Sequence, residues 1–573
     1  MGDKGPVLPH FSRRDFLRTA AAGSASIVGS AFLRDPAFAA HGAPSPAKRP
    51  NIVLVLADDM GYSDIGCFGG EIRTSNIDRL ASDGLRFTQF HNAARCCPSR
   101  ASLLTGLYPH QAGIGDMMTD QGVDGYRGDL NRRCRTIAEV LRGAGYGTYA
   151  VGKWHVTRFL PPDGPKHNWP LQRGFDRYFG TITGAGSYFE PHTLVLDNTP
   201  IEPGEGSYYT DAIADRAAKF IHDHAAATPG RPFFLYTAFT APHWPLHAPA
   251  EAVAAQRGRF DAGWDALRAE RHRRMVEMGL VDKRWRLSPR DPEVPAWVDA
   301  SDKAWQLRRM EVYAAQVELM DRGIGRIRAA LEAAGVLADT VILFLSDNGG
   351  CHEELTESWS NYFFKGREQV VRRATRDGRT VRFFNDPQVL PGPDDTYQSY
   401  GRPWANLSNT PFRLFKVFAH EGGTATPLVV RWPAGIRSRG EIRRPLGHIV
   451  DIMATCAELA GAKYPAAAED RDILPLEGLS LLPAFAGRPL DREAIYCEHE
   501  GNRAVITPRW KLVARGNRGP WELYDFEADR TETNDLAAAK ADMAARLAKM
   551  WEDWARRTAV LPKPAPKRAP DSV

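Results

Sequence analysis

The stretch from Cys96 to Gly106 places a thiol, a proline, a serine and an arginine in close succession. Pro98 and Ser99 favour the first turn of a helix, where the backbone amides lack intrahelical partners. A cysteine just before such a turn lies near an anion-binding site, to which Arg100 adds a positive charge. These residues predict a thiol of lowered pKa beside a site for an oxyanion. Cys-x-Pro alone leaves open a buried cysteine next to an N-capping serine.

Four apolar segments, residues 51–56, 148–151, 233–237 and 341–345, are each followed by polar or charged side chains. Continuous apolar runs of this length are typical of strands buried on both faces of a sheet. Helical patterns separate them, so the sequence predicts an α/β fold with a mixed or mostly parallel sheet between helices. Ligands of such sheets bind beyond the carboxyl ends of the strands. The polar residues are therefore expected to share one site.

Two of these segments end in acidic or amide side chains, Asp58 with Asp59 and Asp347 with Asn348. Taken singly, an Asp at a strand end is more simply a cap or turn residue. Brought together, the carboxylates would repel one another unless a cation joined them. Oxygen ligands without sulfur suit Ca²⁺ or Mg²⁺ rather than zinc.

The complete motif that begins at Cys96 narrows the range of functions that the sequence allows. Cys96-x-Pro98-Ser99-Arg100-x-x-x-x-Thr105-Gly106 resembles the signature of type I sulfatases, C-x-P-S-R-x-x-x-x-T-G, at every fixed position. The resemblance covers residues 48 to 555 and implies an overall fold like that of alkaline phosphatase. It also implies that a formylglycine-generating maturase converts Cys96, and not Cys97, to formylglycine, whose hydrate is the nucleophile.

The resemblance extends to the residues that would bind a metal ion. Asp58, Asp59, Asp347, Asn348 and the residue derived from Cys96 resemble the sulfatase metal site, which usually holds Ca²⁺. The sequence itself does not separate Ca²⁺ from Mg²⁺.

Three further segments match places where sulfatases carry an active-site lysine or histidine. Gly-Lys-Trp-His supplies Lys153 and His155, Ala-Pro-His-Trp supplies His243, and residues 412–423 supply Lys416. A lone histidine in an aromatic loop is usually structural, which is the alternative for His243. The last segment departs from the commoner form of the family, so His420 stays open as a competitor to Lys416.

The implied reaction is hydrolysis of a small-molecule sulfate monoester. Lys153 and Lys416 would hold the sulfate oxygens, since the reaction depends on positioning and charge stabilisation. By resemblance, His243 acts at the leaving group, Arg100 supports the hydrate, and His155 takes the proton that releases sulfate. The generic expectation is an arylsulfatase-like enzyme, with the physiological ester open among aryl, alkyl, choline and sugar sulfates.

Two alternatives belong to other classes of function. One is a phosphonate or phosphodiester hydrolase of the same superfamily, because phosphate resembles sulfate in shape. The other is an inactive periplasmic protein that binds anions or calcium. The intact Cys96 motif, both lysines and all four metal candidates argue against this second alternative.

Composition and the N-terminal segment indicate which partners and which cellular compartment to expect. The chain has 573 residues, 43% hydrophobic and 25% charged, and its net charge of +5 gives no reason to expect a nucleic-acid partner. Residues 1–39 resemble a twin-arginine signal peptide, with Arg13-Arg14, a short apolar stretch over residues 19–33 and a small-residue cleavage site. The twin-arginine translocase is thus an expected partner, and the mature protein is expected to be periplasmic or secreted, without a stable membrane span.

The remaining expectations concern domains. We expect a catalytic domain over residues 48–485, a C-terminal antiparallel sheet with a helix over 486–560, and a disordered tail over 561–573. The segment 257–309 is predicted to be a solvated helical insertion, and 351–409 to overhang the pocket. The seven cysteines do not form a disulfide framework. Five of them are expected to be mostly small core residues, although a disulfide stays open: Cys67, Cys134, Cys351, Cys456 and Cys497.

Overall fold

The computed structural model describes residues 49–366, 370–468 and 471–564. The predicted signal peptide, residues 1–39, and most of the predicted tail, residues 565–573, lie outside the described residues. Within the described ranges, no helix has the length and apolar character needed to cross a membrane.

Strands and α-helices alternate along the described residues. The strands are, in chain order, β1 (Asn51–Ala57), β2 (Leu85–His91), β3 (Gly147–Gly152), β4 (Arg177–Thr181), β5 (Leu194–Leu196), β6 (Thr199–Pro200), β7 (Phe233–Ala238), β8 (Thr340–Ser346), β9 (Arg382–Phe383), β10 (Thr396–Tyr397), β11 (Ala425–Arg431), β12 (Glu441–Arg443), β13 (Gly447–His448), β14 (Ala467–Ala468), β15 (Arg471–Asp472), β16 (Ile495–His499), β17 (Asn502–Ile506), β18 (Trp510–Ala514) and β19 (Glu522–Asp525). The α-helices are α1 (Ser75–Ser82), α2 (Cys96–Thr105), α3 (Ile137–Gly143), α4 (Tyr209–Ala227), α5 (Ala250–Ala254), α6 (Gly263–Glu277), α7 (Lys303–Ala333), α8 (Glu357–Gly366), α9 (Gly401–Ser408), α10 (Glu421–Thr424), α11 (Asp451–Ala460), α12 (Leu482–Phe485) and α13 (Ala541–Arg557).

The large sheet is mixed and has the strand order β12-β2-β11-β8-β1-β7-β3-β4-β5-β6, with β13 also paired to β2. Its centre consists of β8, β1, β7 and β3, which are neighbours and run parallel. These are the four apolar segments of the sequence, so the prediction that their polar ends meet at one edge is confirmed. The antiparallel strand β11 continues the sheet beyond β8.

Helices cover both faces of this sheet, because side chains of a strand alternate between two cores. Val53 and Val55 of β1 point into one core, together with residues of α1, α4 and α7. Ile52, Leu54 and Leu56 point into the other, together with residues of α2, α3 and α11. The predicted α/β sandwich is therefore confirmed.

Helix starts agree less closely with the sequence. Thr136 and Glu139 form a capping box at the start of α3. Helix α2 begins at Cys96 itself rather than near Pro98, and the Ser99 hydroxyl accepts a hydrogen bond from the Ala93 amide at 2.9 Å instead of capping the helix. The cysteine is therefore the first residue of the helix and does not precede it.

The prediction of a solvated insertion over residues 257–309 is wrong for one face of α6. Arg271 on that face is fully buried, and its guanidinium nitrogens lie 2.7 Å from Glu71 and 2.8 Å from Asp64. A hydrophobic count treats arginine as exposed, but a guanidinium with two carboxylate partners can be buried.

Strands β16-β17-β18-β19 form a separate four-stranded antiparallel sheet, which α13 follows in the chain. Leu547, Trp551 and Trp554 of α13 pack against Val505 and Leu512 of that sheet. The predicted antiparallel sheet and its helix are thus observed, while the domain boundary at residue 485 stays a prediction. All seven cysteines are buried free thiols, so the disulfide that the sequence left open does not form.

A buried charge cluster connects this small sheet to the large one. Lys511 of β18 lies 2.9 Å from Glu421 and 2.8 Å from Glu532, and Arg530 lies 2.8 Å from Glu421. All four residues are almost fully buried. Burial alone would raise the pKa of Glu421, but Lys511 and the neighbouring cations hold that pKa well below its usual range.

Replacing Lys511 with methionine is expected to destabilise the protein by about 3–5 kcal/mol, because two buried carboxylates lose their shared cation. Thermal unfolding followed by circular dichroism would measure the loss. Lys549→Met is the matched control, since its pair with Asp553 is exposed and such pairs contribute about 0–1 kcal/mol. Equal melting temperatures for the two variants would contradict the role of the cluster.

Candidate active site

The site begins at the N-terminus of α2, which starts from the C-terminal edge of the large sheet. Cys96 is 3% exposed and lies next to Cys97 and His155, with the two sulfur atoms and a ring nitrogen within 4.8 Å of one another. Hydrogen bonding by Cys97 lowers the pKa of Cys96 well below its usual value, against the effect of burial and with help from Lys153 and His155. This is the direction that the sequence predicts.

One half of the charged site is organised around Arg100. Its guanidinium is fully buried and donates to Asp347 Oδ2 from Nε at 3.0 Å and from Nη2 at 2.8 Å. Asp58 Oδ2 lies 3.6 Å from Arg100 and accepts a hydrogen bond from Lys153 Nζ at 2.6 Å. Arginine therefore orients the two carboxylates that end β1 and β8.

The other half is organised around Asp59, whose backbone has a φ of 64°. This left-handed conformation is uncommon outside glycine and turns Asp59 away from the line of β1. The Asp59 carboxylate accepts hydrogen bonds from Lys416 Nζ at 2.8 Å and from Asn348 Nδ2 at 2.7 Å, and lies 3.3 Å from His243 Nε2. Burial would raise the pKa of Asp59, but His243 and Lys416 lower it.

The two predicted histidines are both uncharged by virtue of their surroundings. Burial lowers the pKa of His155 and of His243 to about 4. His243 Nδ1 lies 2.6 Å from the Trp244 carbonyl, which only accepts, so Nδ1 carries the hydrogen and Nε2 is the acceptor. Lys416 Nζ faces this Nε2 at 3.4 Å.

The donor set suits a hard divalent cation. Asp58 Oδ1 and Asn348 Oδ1 are buried and have no hydrogen-bond partner. Burial raises the pKa of Asp58 well above its usual range and also raises that of Asp347. Unpartnered buried oxygens beside several carboxylates are costly, and a bound Ca²⁺ or Mg²⁺ would satisfy them. The residues present therefore fit the metal that the sequence implies.

The structure brings together every predicted site residue. His420, the alternative to Lys416, lies apart from these residues. Its Nε2 atom is 3.3 Å from Glu522 of β19, whereas Lys416 reaches Asp59.

Sequence reasoning missed a further pair beside the pocket, Glu353 and Arg95. Glu353 lies 3.0 Å from Arg95 and 3.9 Å from Lys416, and it accepts a hydrogen bond from Trp244 Nε1 at 2.8 Å. The one signal in the sequence that could have indicated this pair is the position of Arg95 directly before Cys96.

An α/β fold that gathers a buried cysteine, lysines and a carboxylate cluster at one edge of its sheet is typical of a hydrolase of anionic esters. The Sulfatase family model matches residues 50–462, and a second model, described as N-sulphoglucosamine sulphohydrolase, C-terminal, matches residues 412–557. The chain belongs to the sulfatase family and is a sulfatase enzyme.

Individual relatives support this family assignment. An uncharacterized sulfatase of Schizosaccharomyces pombe is 33% identical, with 90% of this chain and 95% of that protein covered. The arylsulfatase of Klebsiella aerogenes is 32% identical over 77% of this chain and 93% of its own length. Among solved structures, Ps i-CgsB in complex with k-i-k-neocarrahexaose matches with a TM-score of 0.62 and 25% identity, covering 90% of this chain and 98% of that one.

Proposed function

We propose that this sulfatase hydrolyses sulfate monoesters of the arylsulfatase type with Cys96 converted to formylglycine and a divalent cation, Ca²⁺, beside it. One observation carries the proposal. Cys96 lies buried at a helix N-terminus, among residues that include two lysines, a carboxylate cluster and two unpartnered oxygens, the carboxylate Oδ1 of Asp58 and the amide Oδ1 of Asn348. Asp58, Asp59, Asp347 and Asn348 would hold the cation.

When present, the formylglycine hydrate supplies one hydroxyl to attack sulfur and a second to release sulfate, and the cation supplies Lewis acidity. The protein's own residues do the rest. Lys153 and Lys416 donate to sulfate oxygens, where charge is concentrated. Arg100 fixes Asp347. A ring nitrogen of His155 lies within 4.8 Å of the Cys96 sulfur, and burial lowers the pKa of this imidazole, so the uncharged ring can receive a proton from residue 96.

The leaving oxygen is assigned to His243 together with Lys416. Because His243 Nδ1 donates to the Trp244 carbonyl, Nε2 accepts from Lys416 Nζ and keeps that ammonium directed into the site. The ammonium can then stabilise or protonate the departing alkoxide or phenoxide. Both residues are buried, which strengthens their electrostatic effect.

We also propose periplasmic or secreted localisation through the twin-arginine segment, and maturation by a formylglycine-generating enzyme.

Aromatic and sterol sulfates are the first substrates to test. The names of two relatives support this choice, arylsulfatase and the steryl-sulfatase of Mus musculus, which is 30% identical over 87% of this chain.

The test has two measurements on protein produced with its maturase. Mass spectrometry of the peptide containing residue 96 should show an aldehyde in place of the thiol. Kinetics on paired esters that share one leaving group should then give a higher kcat/KM for the sulfate than for the phosphate or phosphonate. A preference for phosphonate would favour the superfamily alternative, and an unmodified Cys96 with no turnover of any ester would overturn the proposal.

Removing the divalent cation is expected to abolish turnover, and Ca²⁺ should restore it. Asn348→Ala is expected to weaken metal affinity by at least about tenfold, because an oxygen ligand is lost. Calcium titration of activity after chelation would measure both effects. Asn361→Ala is the control, since Asn361 is exposed on α8. An unchanged calcium dependence in Asn348→Ala would exclude this residue as a ligand.

A further inference from the structure

A second group of ligand-type side chains lies outside the residues described so far. His499 ends β16, Glu500 occupies the turn to β17, and Asp116 belongs to the segment that follows α2. One ligand atom of each residue lies within 4.8 Å of the other two. The C-terminal hairpin and the segment after α2 thus bring an imidazole and two carboxylates to one point.

His499 presents an unused nitrogen to this point. Its side chain is fully buried, and Nδ1 lies 3.4 Å from the Gly115 carbonyl. Since a carbonyl only accepts, Nδ1 carries the hydrogen and Nε2 presents its lone pair. Nε2 has no hydrogen-bond partner and lies 3.5 Å from Glu500 Oε1. A lone pair that faces a carboxylate is unfavourable unless a cation lies between them.

The two carboxylates also lack a basic partner. Among the described residues, neither Asp116 nor Glu500 forms an ion pair with a lysine or arginine. The Gln121 amide donates to Asp116 Oδ2, which leaves its other oxygen available. Arg95 acts on Glu500 from a distance, but its Nη1 atom is paired with Glu353 at 3.0 Å. Two negative charges therefore face the His499 nitrogen, with only the more distant Arg95 to offset them.

We propose that His499, Asp116 and Glu500 bind a second divalent metal ion of the transition series, with Zn²⁺ as the best match. One imidazole nitrogen and two carboxylate oxygens are a donor set of zinc sites, which leave a fourth position to water. The first site offers only oxygen atoms, so the two sites differ in the metal that they select. This assignment goes beyond the proposed hydrolysis and takes no part in it.

The location of this site gives the metal a structural consequence. Asp116 is joined to the start of α2, because the Cys97 thiol donates to the Asp116 carbonyl at 3.7 Å. A bound ion would therefore tie the hairpin β16–β17 to the segment that packs beside Cys97. Metal that binds only the folded chain stabilises it by mass action.

The competing cation is a proton on Nε2. Burial alone would lower the pKa of His499, but Glu500 raises it above its usual value. A protonated imidazole would pair with Glu500 and require no metal. Zinc and a proton would thus compete for the same nitrogen. Elemental analysis distinguishes them, because it detects bound zinc and not a proton.

The test uses the full mature protein with its first site saturated with Ca²⁺. After dialysis against Zn²⁺, elemental analysis should find about one zinc per chain in addition to calcium. His499→Ala and Glu500→Gln should lose that zinc while keeping the calcium. Glu500 lies at an exposed turn, so Glu500→Gln keeps the measurement valid if His499→Ala does not fold.

Glu458→Gln, an exposed position on α11, is the matched control and should keep the zinc. Co²⁺ in place of Zn²⁺ should give visible absorption that Glu500→Gln removes, and zinc should raise the melting temperature of the parent protein but not of that variant. Absence of bound zinc in the parent protein, or zinc retained by both His499→Ala and Glu500→Gln, would overturn the proposal.

Discussion

Cys96→Ala is expected to lower kcat for sulfate-ester hydrolysis by about 10⁶-fold, because it removes the proposed nucleophile and leaves only binding and electrostatic contributions. The residue is 3% exposed and contributes a small volume, so the fold should persist with a modest change in melting temperature. Steady-state kinetics with an aryl sulfate, together with circular dichroism, would separate the two effects.

Cys97→Ala is the matched control for this experiment. Cys97 is equally buried, and its thiol donates to the Asp116 carbonyl. It lies beside Cys96 but contacts none of Asp58, Asp59, Asp347 and Asn348 among the hydrogen bonds of the described residues. It also occupies the free position of the Cys-x-Pro-Ser-Arg motif. Turnover within a few fold of the parent is expected for Cys97→Ala. Activity retained by Cys96→Ala, or lost equally by both variants, would contradict the assignment of the nucleophile.

The sequence predicts the centre of the fold well because burial on both faces produces a recognisable pattern. The continuous apolar runs of β1 and β8 can lie only inside a covered parallel sheet, and the polar residues that follow them must then lie at its carboxyl edge. For the same reason Asp58, Asp59, Asp347 and Asn348 could be grouped before any geometry was known. What this pattern cannot supply is the left-handed turn of Asp59, which decides that its carboxylate faces Lys416.

Other features depend on partners that are distant in the chain. Glu353 becomes part of the site through Arg95 and Trp244, and neither spacing nor composition connects these residues. Arg271 is buried because Glu71 and Asp64 neutralise it, although a local hydrophobicity scale places it at the surface. Long-range charge pairing therefore accounts for most of what the sequence did not predict.

The choice between Lys416 and His420 shows the same limit, because both lie in one short segment. The structure directs Lys416 to Asp59 and His243, while His420 contacts Glu522 of the C-terminal sheet. Lys416→Met keeps the length of the side chain and removes its charge. It is expected to lower kcat/KM by about 10³-fold, the effect of removing a donor to charge that develops in the transition state.

His420→Gln should keep kcat/KM within a few fold of the parent, because the polar contact that His420 makes is with Glu522 of β19 and not with a proposed catalytic residue. A leaving-group series sharpens the comparison. If Lys416 acts at the departing oxygen, the deficit of Lys416→Met should grow as the pKa of the leaving phenol rises, since poorer leaving groups need more stabilisation. A deficit that does not vary with the leaving group would restrict Lys416 to binding the sulfate oxygens. A larger loss in His420→Gln than in Lys416→Met would reverse the assignment of the two residues.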